Sequence, residues 1–552
     1  MKRVLVAAFL LHLFNSSSIA QENVGGMPMS MLLGLEQGTV PTIMAAPFDR
    51  KAADDDDAIR AGAGAIPLYA RFQEVNASLN DAGRWETLPN GDRLWRLRVT
   101  SPGASAIELF YSDFYLPEGG RLYVYDESGE QILGGFTSYN NHSSGLFTTA
   151  LVNGESCIVE YHEPQAALGL ANFRITQVGH AYRMVGATKA GNCNVDVMCE
   201  PEITGFEQER HGVVRISVVE SAGAGWCSGS VVNNTNNDCK PYILTALHCG
   251  VSSSTANFNQ YKFYYRYQRT GCGTGSASAA QVMTGCAKRA SSNDNGGDSG
   301  SDFILVETNN PIPTSYQPYW NGWNANNTAT TGGRCIHHPS GDEKKVSTFN
   351  GNTINSSWGV GNTHWRVTWN ATPNGHGVTE GGSSGSPLFN MSGYIIGTLT
   401  GGGSFCNSVV PGGQNQPDYF GKMSYHWNNN PGPASDRLKF WLDPVGAGTT
   451  TVFDGSWNPC GVVSVEEQQL VRPVLFPNPA VDQVVVTLDA SAARFQTIEL
   501  FDLSGRVVRT QRMQGQERST MDLAGVTNGL YLLRLVGPER VSATTRLEVL
   551  RP

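Results

Sequence analysis

Hydrophobic and polar residues alternate in short runs over most of the chain, a pattern that predicts β-strands separated by turns. Between about residues 66 and 165 these runs include RLWRLRVTS, AIELFYSDF and GRLYVYDESGE, each bounded by Gly, Pro or Asn. A second set, with GVVRISVV, PYILTALHC and GYIIGTLTGG, lies between about 190 and 456. A third set, with QVVVTLD and GLYLLRLVG, begins near Leu475. The pattern therefore predicts an all-β chain with three strand-rich regions and a best single helix at 434–444.

The N-terminal residues have the composition of an export signal. Lys2 and Arg3 precede a short apolar run, and small residues then lead to an expected cut after Ala20. That run is too short to cross a bilayer, and we find no later stretch that is long and apolar enough. We expect an exported chain without a transmembrane segment, in which 21–60 is weakly patterned and KAADDDDAIR forms a solvated linker.

Composition and charge narrow the class of protein. The chain has 552 residues, a net charge of −9, 63 Gly and only 16% charged residues, which is typical of a loop-rich β protein. Because this balance gives no basic patch, we expect no nucleic-acid partner.

The cysteines indicate disulfides rather than a metal site. Cys157 lies apart, and the other ten, between Cys193 and Cys460, could form five bridges in an exported chain. The only close spacing, CNVDVMC, is not a C-x-x-C pair. Adjacent His337 and His338 would point to opposite faces of a strand and make poor joint ligands. We therefore expect neither a metal nor another cofactor.

A histidine at the end of a buried strand is the first candidate for chemistry. PYILTALHC places His248 at the tip of an apolar run, where Cys249 can pin it with a disulfide. A general base needs such a fixed position at the edge of a cleft. A buried core histidine is the alternative for His248 alone. The upstream GWCSGSVV favours a catalytic His248 over a core histidine, because the two motifs together resemble the first half of a trypsin-like serine protease site.

Two glycine-flanked serines compete as the nucleophile, Ser299 in GGDSGSDF and Ser384 in GGSSGSPLF. Only Ser384 is followed by a Pro and an apolar strand, and only Ser384 completes the chain order His, Asp, Ser. For the acid we prefer Asp302, which precedes the apolar run FILVE. Asp298 is the alternative, but it lies in a glycine-rich turn where Asp is common for structural reasons.

The roles follow from the chemistry of these side chains. Ser384 is a weak nucleophile that needs a base, which His248 supplies, and Asp302 would orient the imidazole and stabilise its protonated form. The backbone N–H groups of Gly382 and Ser384 would face the developing oxyanion.

A longer ordered set of motifs resembles one bacterial protease family. CNVDVMC, GSVVNNT, ILTALHC, SDFILVE, IHHPSGDEKKVS, GVTEGGSSGSP and RLKFWLDP, from about 190 to 456, are similar to the lysyl endopeptidases of the Achromobacter and Lysobacter type. The resemblance implies a chymotrypsin-like double β-barrel and hydrolysis of peptide bonds after Lys through an acyl-enzyme. It also implies three disulfides: Cys193–Cys406, Cys199–Cys272 and Cys227–Cys249. From the remaining Cys239, Cys286, Cys335 and Cys460 we expect two further bridges whose pairing stays open.

The resemblance also implies the specificity pocket. Val378 stands where trypsin has its pocket-floor carboxylate, so the acid would be Asp418, in NQPDYFGKMS, with Thr379 and Glu380 in the pocket wall. A buried carboxylate in a narrow pocket favours a cationic partner. The alternative is that Asp418 is only a turn residue after Pro417.

A tryptophan adds to the substrate-binding set. Trp369 matches a tryptophan that stacks on a histidine in the family, and Thr400 stands at the place of that histidine. We expect a Lys preference, with Arg left open as a second substrate.

Activation is expected to differ from that of trypsin. Ser383 precedes the nucleophile and has no charge, so it could form no ion pair with a new N-terminus. We expect instead that 21–189 is removed as a prodomain, by self-cleavage after Lys189. The prodomain would act as a folding chaperone, an inhibitor or both.

The last region resembles another family. FPNPA, IELFDLSGRVV and GLYLLRL are similar to the C-terminal sorting domain of the Bacteroidetes type IX secretion system. This implies the secretion machinery as a partner and export across the outer membrane, followed by release or surface attachment. An ordinary β-sandwich binding module is the alternative.

Together these observations predict a secreted, monomeric serine endopeptidase that acts on proteins or peptides. The expected order is a signal peptide (1–20), a propeptide with a β-sandwich domain (21–189), a double-barrel protease domain (190–456), a linker (457–472) and a small β-sandwich sorting domain (473–552). The alternatives are a trypsin-like protease of another preference and an inactive surface adhesin.

Overall fold

The computed structural model divides into two compact units, Met1–Cys460 and Gly461–Pro552. The residues that the structure describes are 23–35, 40–62, 65–183, 190–278, 281–407, 413–446, 449–460, 474–487, 497–502, 506–513, 518–536 and 542–551. The expected processing residues Ala20 and Lys189 lie outside them.

The N-terminal region of the first unit is a pair of sheets around an aromatic core. Its elements are α1 (Met29–Leu32), β1 (Thr42–Met44), α2 (Arg50–Gly62), β2 (Leu68–Ser78), β3 (Arg84–Thr87), β4 (Arg93–Thr100), β5 (Ala106–Tyr115), β6 (Arg121–Asp126), β7 (Ile132–Phe136), β8 (Phe147–Thr148), β9 (Val152–Asn153), β10 (Ser156–Glu163) and β11 (Asn172–Ala181). One sheet has the order β1-β4-β10-β6-β7, and β2, β11, β5 and β8 lie in the other. Trp95, Tyr111 and Phe173 pack between them.

The segment KAADDDDAIR differs from the expectation, because it lies in helix α2 and not in a linker. Arg50 pairs with Asp54 one turn further on at 2.9 Å. Arg71 of β2 reaches Asp57 at 2.6 Å. The acidic run is therefore matched by cations of its own helix and of a neighbouring strand, which the linear charge pattern does not reveal.

The next region, where the protease domain is expected, forms a sheet that we call the first protease sheet. Its elements are β12 (Val195–Asp196), β13 (Val213–Glu220), β14 (Gly223–Val231), β15 (Tyr242–Thr245), α3 (Thr255–Phe258), β16 (Lys262–Tyr264), β17 (Val282–Thr284), β18 (Cys286–Ser291) and β19 (Ile304–Thr308). The order β17-β16-β13-β14 is extended on the other side of β14 by β15, β19 and β18, whereas β12 joins the second sheet.

The second protease sheet has the order β12-β22-β21-β25-β26-β27-β24-β23. The elements after β19 are β20 (Trp323–Asn324), β21 (Gly333–His337), β22 (Lys345–Phe349), β23 (Ile354–Ser356), β24 (His364–Val367), β25 (Pro387–Asn390), β26 (Ile395–Gly402), β27 (Asp418–Lys422), α4 (Met423–Asn428), α5 (Leu438–Leu442) and β28 (Val452–Phe453). The helix expected at 434–444 is shorter, a 3₁₀ turn (Ala434–Asp436) followed by α5.

A shared core joins the two protease sheets. Leu244 and Phe303 from the first sheet region pack in one cluster with Ile336 and Ile395 from the second. The loops at the facing sheet edges are therefore held in fixed relative positions. The prediction of an all-β fold is confirmed.

Four disulfides lie in the described residues: Cys193–Cys406, Cys199–Cys272, Cys227–Cys249 and Cys239–Cys460. The first three are the pairs that the resemblance implied. The expectation of a fifth bridge is wrong. Cys286 on β18 and Cys335 on β21 are buried free thiols that lie in different sheets. Cys157 is also free and buried.

The second unit is described by itself. Its strands are β29 (Val474–Phe476), β30 (Gln483–Thr487), β31 (Thr497–Phe501), β32 (Val507–Arg512), β33 (Arg518–Asp522), β34 (Gly529–Val536) and β35 (Ser542–Val549). They form the sheets β29-β30-β33 and β32-β31-β34-β35 around an apolar cluster that includes Val484 and Leu533. In the described part of the chain, none of the helices is long and apolar enough to cross a bilayer.

Candidate active site

Two paired strands bring His248 and Asp302 together. β15 and β19 are antiparallel, with Thr245 opposite Ile304, so the residues after β15 and before β19 meet at one sheet edge. His248 Nδ1 lies 2.7 Å from Asp302 Oδ2, and the His248 backbone N–H donates to Asp302 Oδ1 at 2.9 Å. Asp302 is fully buried, whereas the His248 side chain keeps 15% of its surface exposed. The pair is therefore fixed on the acid side and open on the other.

Each member of this pair shifts the pKa of the other. Burial opposes protonation of His248, but the Asp302 carboxylate outweighs it and raises the pKa of the imidazole. Burial also works against ionised Asp302, yet His248 and a hydrogen bond from Thr400 lower the pKa of Asp302. The arrangement therefore favours an ionised acid beside a histidine that accepts protons readily.

Asp294, which the sequence motifs did not indicate, organises the loop that carries Asp302. Its carboxylate accepts from the N–H groups of Gly296 and Gly297 at 3.2 and 3.1 Å. It also accepts from the N–H of Asp302 at 2.8 Å. These bonds hold Asp302 at a φ of 57°, which is an unusual value for a non-glycine residue. The only sequence signal for this role is an Asp followed by a glycine-rich turn.

The rival residues of the same loop lie elsewhere. Asp298 and Ser299 are both exposed. The Asp298 carboxylate accepts a hydrogen bond from Asn295 at 2.8 Å, in the turn role that its glycine-rich context favours. The structure thus gives Asp298 a local partner and gives Asp302 the histidine.

The turn that carries Ser384 is attached to the strands around His248. The Ser228 N–H, on β14, donates to the Ser384 carbonyl at 2.8 Å, and the Ser228 hydroxyl donates to the Gly382 carbonyl at 2.9 Å. Gly385 packs so closely that a Cβ there would lie 2.6 Å from Ala246 N, two residues before His248. Ser384 is half-buried at this junction of the two sheets.

Ser383 is held by a histidine, where trypsin uses an ion pair. His337 Nδ1 lies 2.7 Å from Ser383 Oγ, and its Nε2 lies 3.1 Å from Ser347 Oγ. Burial, with a smaller effect of Lys345, lowers the pKa of His337 to about 3, so the ring is neutral. Both ring nitrogens are thereby occupied. Among the described residues, no group of three His, Cys, Asp or Glu could hold a metal ion.

Asp418 begins β27 and lies between β24 and β26. Its carboxylate is fully buried and accepts from Trp369 Nε1 at 2.5 Å, Thr379 Oγ1 at 2.8 Å and Ser404 Oγ at 2.6 Å. The Ser404 N–H donates to the second oxygen at 3.1 Å. Burial raises the pKa of Asp418 and the hydrogen bonds oppose it. No Lys or Arg of the described chain forms a salt bridge with it. The carboxylate therefore has neutral donors and lacks a resident cation.

Of two further residues expected to bind substrate, only Trp369 contacts the pocket carboxylate. Glu380 accepts from the Gly191 N–H at 3.1 Å and from the Ser340 hydroxyl at 3.3 Å, so it serves the segment after the expected cut and not Asp418. Trp369 is buried and donates to Asp418.

The indole near Thr400 belongs to Trp358, a residue that the sequence reading did not single out. A Cβ at Gly297 would lie 3.1 Å from Trp358 Cδ1 and 3.4 Å from Thr400 Cγ2. Thr400 Oγ1 lies 2.9 Å from His364 Nε2. Trp358 is 44% exposed, so its ring faces solvent above the Asp302 loop.

The fold and the site define a class: an all-β serine endopeptidase, in which a histidine–aspartate pair lies beside a glycine-flanked serine. Comparison with known proteins adds two family matches, each over part of the chain. Residues 187–421 match the family described as lysyl endopeptidase, C-terminal domain. Residues 474–548 match the secretion system C-terminal sorting domain.

Individual known proteins are similar to parts of this chain. The chain is 27% identical over 370 residues to a lysyl endopeptidase of Pseudomonas aeruginosa, covering 62% of this chain and 75% of that protein. Among solved structures, the protease Anisep of Arthrobacter nicotinovorans is 20% identical, with 39% of this chain and 92% of that chain covered and a TM-score of 0.29. A thermostable serine protease, AL20, from an extremophilic microorganism is 17% identical, covering 39% and 93%, with a TM-score of 0.28.

The family matches and the curated relative make this chain a secreted serine endopeptidase. The sorting domain adds export by the type IX route, which leads to secretion or to attachment at the cell surface.

Proposed function

We propose that this endopeptidase cleaves peptide bonds after Lys with a triad of Ser384, His248 and Asp302. The observation that carries the specificity is Asp418, a fully buried carboxylate that accepts four hydrogen bonds and pairs with no Lys or Arg among the described residues. A buried charge without a counter-charge is costly, so a cationic substrate side chain would stabilise it. The name of the Pseudomonas relative supports the same preference.

The triad chemistry follows the contacts around His248. Ser384 Oγ attacks the carbonyl carbon after Lys while His248 takes its proton, and the carbonyl electrons move onto the oxygen. Asp302 stabilises the imidazolium that forms. Collapse of the intermediate expels the amine, which takes the proton from His248. Water then repeats the sequence and releases the acid from Ser384.

The oxyanion hole is assigned to the backbone N–H groups of Gly382 and Ser384. The turn that carries them is anchored by Ser228 on one side and by the His337–Ser383 bond on the other. Such anchoring keeps the donors oriented before the reaction, which is the condition for strong oxyanion stabilisation.

Maturation is part of the proposal. Residues 21–189 would act as a prodomain that is removed by cleavage after Lys189. Ala190 and Gly191, the first residues after this cut, already donate to Asp342 and Glu380. The beginning of the mature protease is therefore seated before cleavage.

The test compares substrates that differ only in the side chain before the cleaved bond. Processed protein is assayed with lysyl, arginyl and norleucyl anilides of one peptide series. The inactive control is Ser384→Ala protein whose prodomain has been cleaved by added wild-type enzyme that is then removed. We expect the lysyl substrate to have the highest kcat/KM and the neutral norleucyl substrate the lowest. Equal rates for lysyl and norleucyl substrates would contradict the assignment of Asp418, and an arginyl optimum would replace Lys with Arg.

A further inference from the structure

A short segment of the N-terminal region lies along the edge of the first protease sheet. We call residues 66–70 the covering segment. Its residues Leu68 and Ala70, at the start of β2, pair with Gly225 and Ala224 of β14. The N-terminal region therefore adds a strand to the same β14 that passes beside the Ser384 turn.

The covering segment reaches the nucleophile turn. A Cβ at Gly225 would lie 2.7 Å from Ile66 Cδ1, so only glycine leaves room for Ile66 on this strand. A Cβ at Gly381 would lie 3.0 Å from Pro67 Cγ. Gly381 is three residues before Ser384 and next to Gly382. Ile66 and Pro67 thus occupy the space between β14 and the oxyanion turn.

Buried polar contacts fasten this arrangement. Tyr69 stacks on Trp226 with ring centroids 4.2 Å apart, and its hydroxyl lies 2.7 Å from Ser217 Oγ. Glu108 of β5 pairs with Lys262 of β16 at 2.7 Å, with both side chains fully buried.

An ion pair adds a further link. Arg60, in α2, pairs with Glu220 of β13 at 2.6 Å, where both side chains are largely buried. Charged groups are buried this deeply only when they are matched. The N-terminal region is therefore docked by complementary charges as well as by the strand pairing of the covering segment.

The position of the covering segment identifies the part of the cleft that it fills. β14 carries Cys227, which is bridged to Cys249, the neighbour of His248. His248 gives its proton to the departing amine, so the leaving part of a substrate lies on this first-sheet side. The Lys side chain would instead enter the Asp418 pocket in the second sheet.

We propose that residues 66–70 occupy the site for the leaving-group side of the substrate, so that the unprocessed chain is closed to long peptides but open to short lysyl substrates. The inference rests on the proposed function and assigns its regulation to one strand. A peptide substrate and the covering segment compete for the same edge of β14, because an extended chain pairs with a free strand edge through its backbone.

The test uses the full chain with Lys189→Gln, confirmed intact by mass. Two substrates share the residues up to Lys: an anilide, which has no peptide on the leaving side, and a quenched peptide with several residues there. Leu68→Asp in the same background places a charge at a fully buried apolar contact and should release the covering segment. We expect the ratio of kcat/KM, peptide over anilide, to rise by about tenfold or more, since each 1.4 kcal/mol of lost contact is tenfold.

Controls separate release of the segment from damage to the fold. Glu74→Gln changes an exposed residue of the same strand and should leave the ratio unchanged. Rates are normalised to sites that react with a small acylating inhibitor. If the Leu68 variant has no such sites, Arg60→Gln replaces it, with the same rise expected.

An equal ratio in the parent chain and in the released variant overturns the proposal. Failure of the proposed function would look different, because processed wild-type protein would then cleave the lysyl anilide no faster than the norleucyl or arginyl anilide.

Discussion

Asp302 and Asp418 are both fully buried carboxylates, but the pKa of Asp302 is lowered and the pKa of Asp418 is raised. Burial works against ionisation in both. Asp302 overcomes it because His248 lies 2.7 Å away and can carry a positive charge. Asp418 accepts four hydrogen bonds from neutral donors and has no cationic partner in the described part of the chain, so burial prevails. The difference is a resident counter-charge, and it separates a carboxylate that serves the reaction from one that a substrate must complete.

The comparison is tested most severely by Asp302→Asn. The amide would hold the His248 ring in the wrong tautomer, so we expect kcat to fall by about 10⁴-fold with little change in KM. The matched control is Asp298→Asn, in the same loop but exposed and bonded to Asn295. Steady-state kinetics on a lysyl anilide give both values. A larger loss for Asp298→Asn would exchange the roles of the two residues.

Asp418→Asn tests the other carboxylate. Removing one partner of a buried ion pair costs about 3–5 kcal/mol, so we expect kcat/KM for a lysyl substrate to fall by about 10²- to 10⁴-fold. The norleucyl substrate should lose nothing, because it brings no charge. Labelling of Ser384 by a small acylating inhibitor should continue at the wild-type rate, and its loss would show that Asp418 supports the triad instead.

One hydroxyl at each carboxylate gives a smaller, paired effect. Thr400→Val removes a hydroxyl that lies 2.9 Å from His364 Nε2 and lowers the pKa of Asp302, and Ser404→Ala removes the 2.6 Å bond to Asp418. Hydrogen bonds to charged groups contribute about 1.5–3 kcal/mol, so each loss should be about 10- to 100-fold. We expect it in kcat for Thr400→Val and in KM for Ser404→Ala. If both variants changed the same parameter, kcat or KM, the two carboxylates would be acting as one site.

The two carboxylates also differ in how far the sequence predicts them. Strand patterns and the order His, Asp, Ser are local signals, and they were sufficient to select His248 and Asp302, which the structure brings together. The strand pairing that makes this possible, β15 against β19, joins segments about 60 residues apart and leaves no local trace.

What the sequence could not predict depends on backbone geometry within a loop or on contacts between distant segments. Asp294 acts through backbone N–H groups in a loop held at positive φ. Ser404 reaches Asp418 only because β26 and β27 pair. Glu380 matched the pocket motif, yet it faces Gly191, almost two hundred residues earlier in the chain. Residue identity predicted the chemistry of these groups, and folding decided their partners.

The smallest expected effect is that kcat and KM change with pH in two different ranges. Asp302 stabilises protonated His248, so the imidazole keeps its proton to higher pH, and kcat should rise with pH through a value above the ordinary 6.5 of histidine. Asp418 must be ionised to bind Lys. The pKa of Asp418 is raised above 3.8, so Asp418 becomes protonated at a higher pH than an ordinary aspartate. We expect KM for the lysyl substrate to increase as the pH falls through this pKa, while KM for the norleucyl substrate does not change.

Stability should follow the same two groups with the signs of linkage. His248 has a raised pKa in the fold, so its contribution is present below the unfolded pKa and is lost as pH rises through the folded value. The pKa of Asp418 is also raised in the fold, so the folded state loses stability as the pH rises and Asp418 ionises. A bound Lys side chain can restore that stability. Thermal unfolding of Ser384→Ala between pH 4 and 8, with and without a lysyl peptide, measures this. Stabilisation by the peptide that grows as pH rises through the Asp418 pKa is the expected result. Equal stabilisation by lysyl and norleucyl peptides across this range would show that Asp418 is complete without a cation.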